Sequence, residues 1–131
     1  MSFAPFRRIL TSHDASDVDG TNVVVFDDLV EIAPIANGNG LSPVYASLGL
    51  PIRTKHSTTS EEITATLQDA ADIVTPGGTN GRVVVLPPNG SFAMHRTDSV
   101  DYNIIISGSG FHVTPSPSGD VQTPVKAGER R

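Results

Sequence analysis

Two groups able to exchange protons stand six residues apart in this chain: the imidazole of His95 and the carboxylate of Asp101, with Thr97 between them and Asn103 just beyond. A histidine beside a carboxylate keeps a defined tautomer and a raised basicity, which suits general acid–base chemistry near neutral pH. Side chains two apart on an extended strand share a face, so His95 and Thr97 point together, and Asp101, Asn103 and Ile105 form one face of the next strand if that segment is continuously extended. On this reading His95 shuttles a proton, Asp101 orients it, and Thr97 or Asn103 binds a substrate oxygen. The bland alternative is that His95 and Asp101 do no more than satisfy each other as buried polar groups.

The remaining candidates carry less chemistry. His112 follows Gly110 on a further strand and is a substrate-binding candidate if it faces the same pocket, although a lone strand histidine is more often exposed or structurally bonded. His56 falls in a polar loop, and His13 lies near an N-terminal stretch with too little pattern to assign. Arg96 points opposite to His95 by alternation, as a surface or interface residue. Asp27-Asp28 reads as a turn and Glu61-Glu62 as the acidic first turn of a helix. No paired-carboxylate, Ser-His-Asp or phosphate-loop pattern stands out.

Composition narrows the classes of function. The chain has 131 residues, the size of a single domain, and no run approaches the roughly 18 apolar residues of a membrane span. No apolar stretch of secretory length follows Arg7-Arg8, so a cytoplasmic protein without a membrane partner is expected. Cysteine is absent, which removes disulfides, thiolate nucleophiles and thiolate metal sites and leaves His, Asp and Glu as the strong ligands. A net charge of -5 without a basic cluster argues against nucleic acid as a partner.

The elements that must position these residues are short and β-branched, punctuated by Gly and Pro, which predicts an all-β sandwich or barrel. Strands are expected over 22–26, 82–86, 101–106 and 111–114, the last two joined by the glycine turn Ser107-Gly108-Ser109-Gly110 and paired antiparallel. A turn over 115–120 leads to Val121–Val125, where Pro124 confines the segment to a sheet edge or excludes it from the ladder. Ile63, Leu67, Ala70, Ala71 and Val74 recur at helical spacing, and Thr59 with Glu62 matches a capping box, so 59–75 is read as a helical insertion. Residues 1–20 are read as an N-terminal arm and 37–43, with Asn-Gly-Asn-Gly, as a mobile loop.

With these residues in place a resemblance emerges. Leu86-Pro87-Pro88-Asn89-Gly90, then His95-Arg96-Thr97 with Asp101-Tyr102, then Ile104 to Gly108, resemble the first motif of the cupins, in particular a group of small fungal cupin-domain proteins. Arg7 to Ala15 resembles the opening of the same group, so the likeness runs over most of the chain. It implies a cupin-like, partial jelly-roll barrel with one short helix. It also implies an accessory enzyme of fungal secondary metabolism, acting on a polyketide-type aromatic or carbonyl intermediate as a cupin-type oxidoreductase.

Two departures bear on the chemistry. Thr97 stands where metal-binding cupins carry a second histidine, and the second motif, with a further histidine, would follow a turn like Val125 to Glu129, where this sequence stops. Catalytic metal sites keep about three protein ligands, so no cofactor is expected, the alternative being a divalent metal held by His95 and Asp101. A metal-free isomerase, dehydratase or decarboxylase using His95 and Asp101 is then the alternative to redox chemistry, and a non-catalytic small-molecule-binding module is the reading from a different class. A jelly roll without its last strands exposes a sheet edge and an apolar face, so a homodimer is expected to cover them.

Overall fold

The computed structural model describes residues 2–14, 16–49, 59–70 and 73–129, which leaves the His56 candidate outside the described residues. Its contacts divide the chain into two compact units, residues 1–92 and 93–131.

In the first unit the N-terminal stretch forms a strand rather than an arm. Phe6, Arg8, Leu10 and Ser12 alternate as the less exposed residues of β1 (Phe6–His13), which pairs antiparallel with β2 (Val23–Val30), Phe6 opposite Val30 and His13 opposite Val23. β2 also runs straight through the expected Asp27-Asp28 turn. The acids are held in the strand because each finds a cation across the ladder: Arg7 grips both Asp27 oxygens at 2.7 and 2.6 Å, and Arg8 grips both Asp28 oxygens at 3.1 and 2.6 Å. Opposite charges across a ladder offset the poor strand propensity of aspartate.

The second sheet of this unit has the order β3 (Ala33–Pro34), β4 (Gly40–Ser47), β5 (Thr79–Val85), all antiparallel. The expected loop over 37–43 is instead a 3₁₀ turn, Ala36–Gly38, followed directly by β4. Asn37 and Gly38, at φ 61° and 72°, supply the left-handed backbone that reverses the chain in so few residues. Within β4 the register passes from Pro43 opposite Arg82 to Tyr45 opposite Gly81, leaving Val44 bulged, and its freed carbonyl accepts Arg8 Nη1 at 3.1 Å.

The predicted helix forms as α1 (Ser60–Asp69), with the Thr59/Glu62 capping box in place, and packs against β4. It ends earlier than the apolar pattern suggested, at a C-cap on Ala70, whose carbonyl takes a bond from Arg82 Nη2 at 3.4 Å. Ile32, Ala46, Ile63 and Ala70 are the buried apolar side chains among the described residues. Asn39, Ser42, Ser47 and Asp17 are buried too, so as many polar as apolar side chains are buried among the described residues.

In the second unit β6 (Ser109–Thr114) and β7 (Val121–Lys126) form an antiparallel hairpin, with Phe111 opposite Pro124. A two-stranded ladder has only edges, which accommodates the missing N–H of Pro124. The expected strand over 101–106 does not form, and residues 91–106 lie outside any ladder. A strand exists only with a hydrogen-bonding partner, and Phe111–Thr114 takes β7, not 101–106, as its own. The all-β character holds, with seven strands to one α-helix among the described residues, but the sheets of two, three and two strands are not closed into a barrel.

Candidate functional site

The side chains singled out in the sequence fall in the second unit, most of them on the segment that leads to β6. Its backbone makes no ladder there, so local side-chain bonds hold it. His95 Nδ1 lies 2.9 Å from the carbonyl of Ala93; a carbonyl only accepts, so Nδ1 carries the proton and Nε2 keeps its lone pair. Asp101 takes the hydroxyl of Thr97 on Oδ2 at 3.3 Å and that of Ser99 on Oδ1 at 2.8 Å.

Thr97 and Asp101 are thus brought together, with Ser99 as a partner that the sequence reading missed although its position two residues before the acid favours this turn-like bond. His95 and Asp101 are not bonded to each other, each being satisfied locally. Both are exposed, as are Asn103 and His112; the latter stands opposite Thr123 in the hairpin. Asn103 joins Ile104, Ile105, Val125, Lys126 and Glu129 around an open groove of about 510 Å³. That volume lies within the range of small-molecule sites, and its lining pairs apolar walls with an ammonium, a carboxamide and the carboxylate of Glu129. Val100, Tyr102, Ile104 and Ile106 are 86, 91, 82 and 79% exposed, large apolar side chains of this segment without cover.

No three His, Asp or Glu side chains come together in metal-ligand fashion among the described residues. His95 and Asp101 alone fall short of the three protein ligands a catalytic site keeps.

The one imidazole bonded to a carboxylate among the described residues lies in the first unit, where His13 Nδ1 meets Asp17 Oδ2 at 3.0 Å. The sequence reading passed over His13 for want of local pattern; the available signal was a histidine and an aspartate four apart ahead of the turn residue Gly20. Asp17 is buried, and the amides of Thr21 and Asn22 donate to its two oxygens at 3.0 and 2.9 Å. Burial pushes the carboxyl up, but the two amides and the imidazole outweigh it and leave Asp17 below the ordinary carboxylate value.

Two curated relatives accompany this geometry. The chain is 29% identical over 102 residues, 78% of its length, to phomopsin biosynthesis cluster protein D of Diaporthe leptostromiformis, and equally to cluster protein C' of the same fungus. The match covers 53% of each relative, so the chain spans about half the length of the curated relatives it matches. No family model matches the chain, and no solved structure does. No helix among the described residues is long and apolar enough to cross a membrane.

Proposed function

We propose that this chain takes part in the biosynthesis of a fungal secondary metabolite, as a cupin-like protein that holds a small-molecule intermediate in the groove beside Asn103. The observation that carries the reading is the similarity, over 78% of the chain, to two proteins each named for one biosynthetic cluster. The groove supports the small-molecule part: Ile104, Ile105 and Val125 offer an apolar wall, and Asn103 and Lys126 offer groups that orient a carbonyl or carboxylate. His95, exposed and with Nε2 left free by the Nδ1 bond to Ala93, supplies the acid–base group, and Asp101 is held by Thr97 and Ser99 as a fixed acceptor. The exposed apolar side chains of Val100, Tyr102, Ile104 and Ile106 support the homodimer as part of this reading.

Deleting the gene in the organism that encodes it, and comparing extracts by mass spectrometry, tests the pathway role: a metabolite family is lost and an intermediate accumulates. An unchanged profile refutes it. Complementation with His95→Ala then divides catalysis from binding, because restored output assigns the chain to the non-catalytic binding class. That second reading is favoured by one observation, the absence of a bond between His95 and Asp101.

A further inference from the structure

We propose that His13 and Asp17 form a second acid–base site, in which His13 Nε2 takes a proton from a neutral or cationic donor while Asp17 holds the imidazole in its Nδ1–H form. The site lies in the first unit and does not rest on the reading of His95.

The geometry assigns the roles. An ionised carboxylate can only accept, so Nδ1 of His13 is the donor across the 3.0 Å contact and the Nε2 lone pair is left free. The Asp17 side chain is 1% exposed and fixed by the Thr21 and Asn22 amides, whereas the His13 side chain is 43% exposed, so the orienting group is dry and the reacting group is reachable. This is the arrangement by which a buried carboxylate sets the tautomer of a general-base histidine and stabilises the imidazolium that forms. His95 differs here, since the carbonyl of Ala93 fixes a tautomer but brings no charge to meet an imidazolium.

The loop does not need the imidazole to close. Asp14 N bonds Asn22 O at 3.1 Å, Asp17 N bonds Asp14 O at 2.9 Å, Ser16 N bonds Asp14 Oδ1 at 2.8 Å, and Asp17 ties down Thr21 and Asn22. The ring is therefore an addition to a loop already held.

Charge and shape define the donor. Residues 14–22 carry Asp14, Asp17 and Asp19 and no Lys or Arg, so an anionic substrate is repelled and a neutral or ammonium-bearing one is favoured. Val18, 92% exposed in the same loop, offers an apolar contact. In the step itself the donor's X–H bond breaks, its electron pair stays on X, and a new N–H bond forms at Nε2. The imidazolium so formed remains paired with the Asp17 carboxylate, and no oxidant or reductant takes part.

Two measurements on the full chain test this. Nitrogen-15 NMR of the imidazoles at alkaline pH is expected to show His13 as the Nδ1–H tautomer in the native protein. In Asp17→Ala, which removes the acceptor at Nδ1, it is expected to show mainly the Nε2–H tautomer that an imidazole without this partner prefers. The neutral carbon acid 5-nitrobenzisoxazole, which opens to a coloured cyanophenolate when a base removes its C–H proton, reads the proton transfer. Measured in a His95→Ala background, so that the other imidazole does not contribute, its protein-dependent rate is expected to fall about tenfold or more on adding His13→Ala or Asp17→Ala. A rate unaffected by His13→Ala, or an Nε2–H tautomer in the native protein, overturns the proposal. The NMR spectra of the variants separate loss of the site from loss of the fold, since an Asp17 that does not set the tautomer would leave it unchanged in a folded Asp17→Ala.

Discussion

Thr97 donates its hydroxyl to Asp101 Oδ2 at 3.3 Å, and with Ser99 on the other oxygen it fixes the carboxylate without help from His95. The imidazole turns instead to the carbonyl of Ala93, two residues back, in an exposed segment. Residues in such surroundings contribute little to stability. Replacing His95 with alanine is therefore expected to shift stability by no more than about 0.5 kcal/mol. Chemical denaturation measures it, and a loss of several times that size would mean that His95 is a buried structural group.

Acid should weaken the first hairpin for a definite set of carboxylates. The Arg7 hydrogen bonds hold Asp27, and those of Arg8 hold Asp28, below the ordinary carboxylate value, as the two amides and His13 do for Asp17 against its burial. A depressed folded pKa means that the unfolded chain binds the proton first. The stabilisation is then fully present above the unfolded value of 3.8 and is lost as pH falls through the lower folded values. Melting temperature is expected to be flat with respect to these groups near pH 6 and to drop below about pH 4. Asp17→Asn should flatten part of that drop. In about 1 M salt, where the screening length is about 3 Å, the Arg7–Asp27 share should shrink, because both side chains are exposed.

Much of the fold could be read from local chemistry, and the parts that could not share one cause. The capping box at Thr59 and Glu62, the strand over Arg82–Val85 and the edge placement of Pro124 depend on near neighbours and stand as expected. β1 escaped notice because Arg7 and Arg8 mask its alternation, and only Asp27 and Asp28, twenty residues on, make two adjacent arginines acceptable in a strand. The segment 101–106 has strong strand composition but no ladder, because pairing is a property of two segments and its presumed partner took β7. The site followed the same rule: Thr97 with Asp101 was within local reach, whereas the buried state of Asp17 depends on the amides of Thr21 and Asn22 closing around it.

Two adjacent glycines should respond differently to the same change. A Cβ on Gly78 would collide with the backbone oxygen of Ser47 and approach Thr75 Cγ2 at 2.9 Å, while one on Gly77 would meet open space but sit at φ 65°. Gly77→Ala is expected to cost about 1 kcal/mol, the penalty of a left-handed backbone. Gly78→Ala forces strand β4 or the 75–78 turn to move and is expected to cost about 1–3 kcal/mol or more. Equilibrium unfolding of the pair gives the order directly, and equal losses would mean that the turn yields freely.

The first turn of α1 offers a test of how firmly the helix is anchored. Thr59 Oγ1 accepts the amide of Glu62 at 3.2 Å, and the Glu62 carboxylate accepts the amide of Thr59 at 3.0 Å, so each side chain satisfies a donor that the helix leaves open. The apolar anchor is thin, because Ile63 is the buried residue within the helix, joined by a half-buried Leu67 and the buried C-cap Ala70. With ten residues and so little buried surface, α1 is too short to persist without its cap. Thr59→Ala is expected to cost about 0.5–2 kcal/mol and Thr59→Ser a few tenths. Amide exchange across Ile63–Asp69 should quicken in the alanine variant while β6 and β7 are unaffected. Retained protection in α1 would show instead that packing against β4, rather than the reciprocal bonds at its start, holds the helix in place.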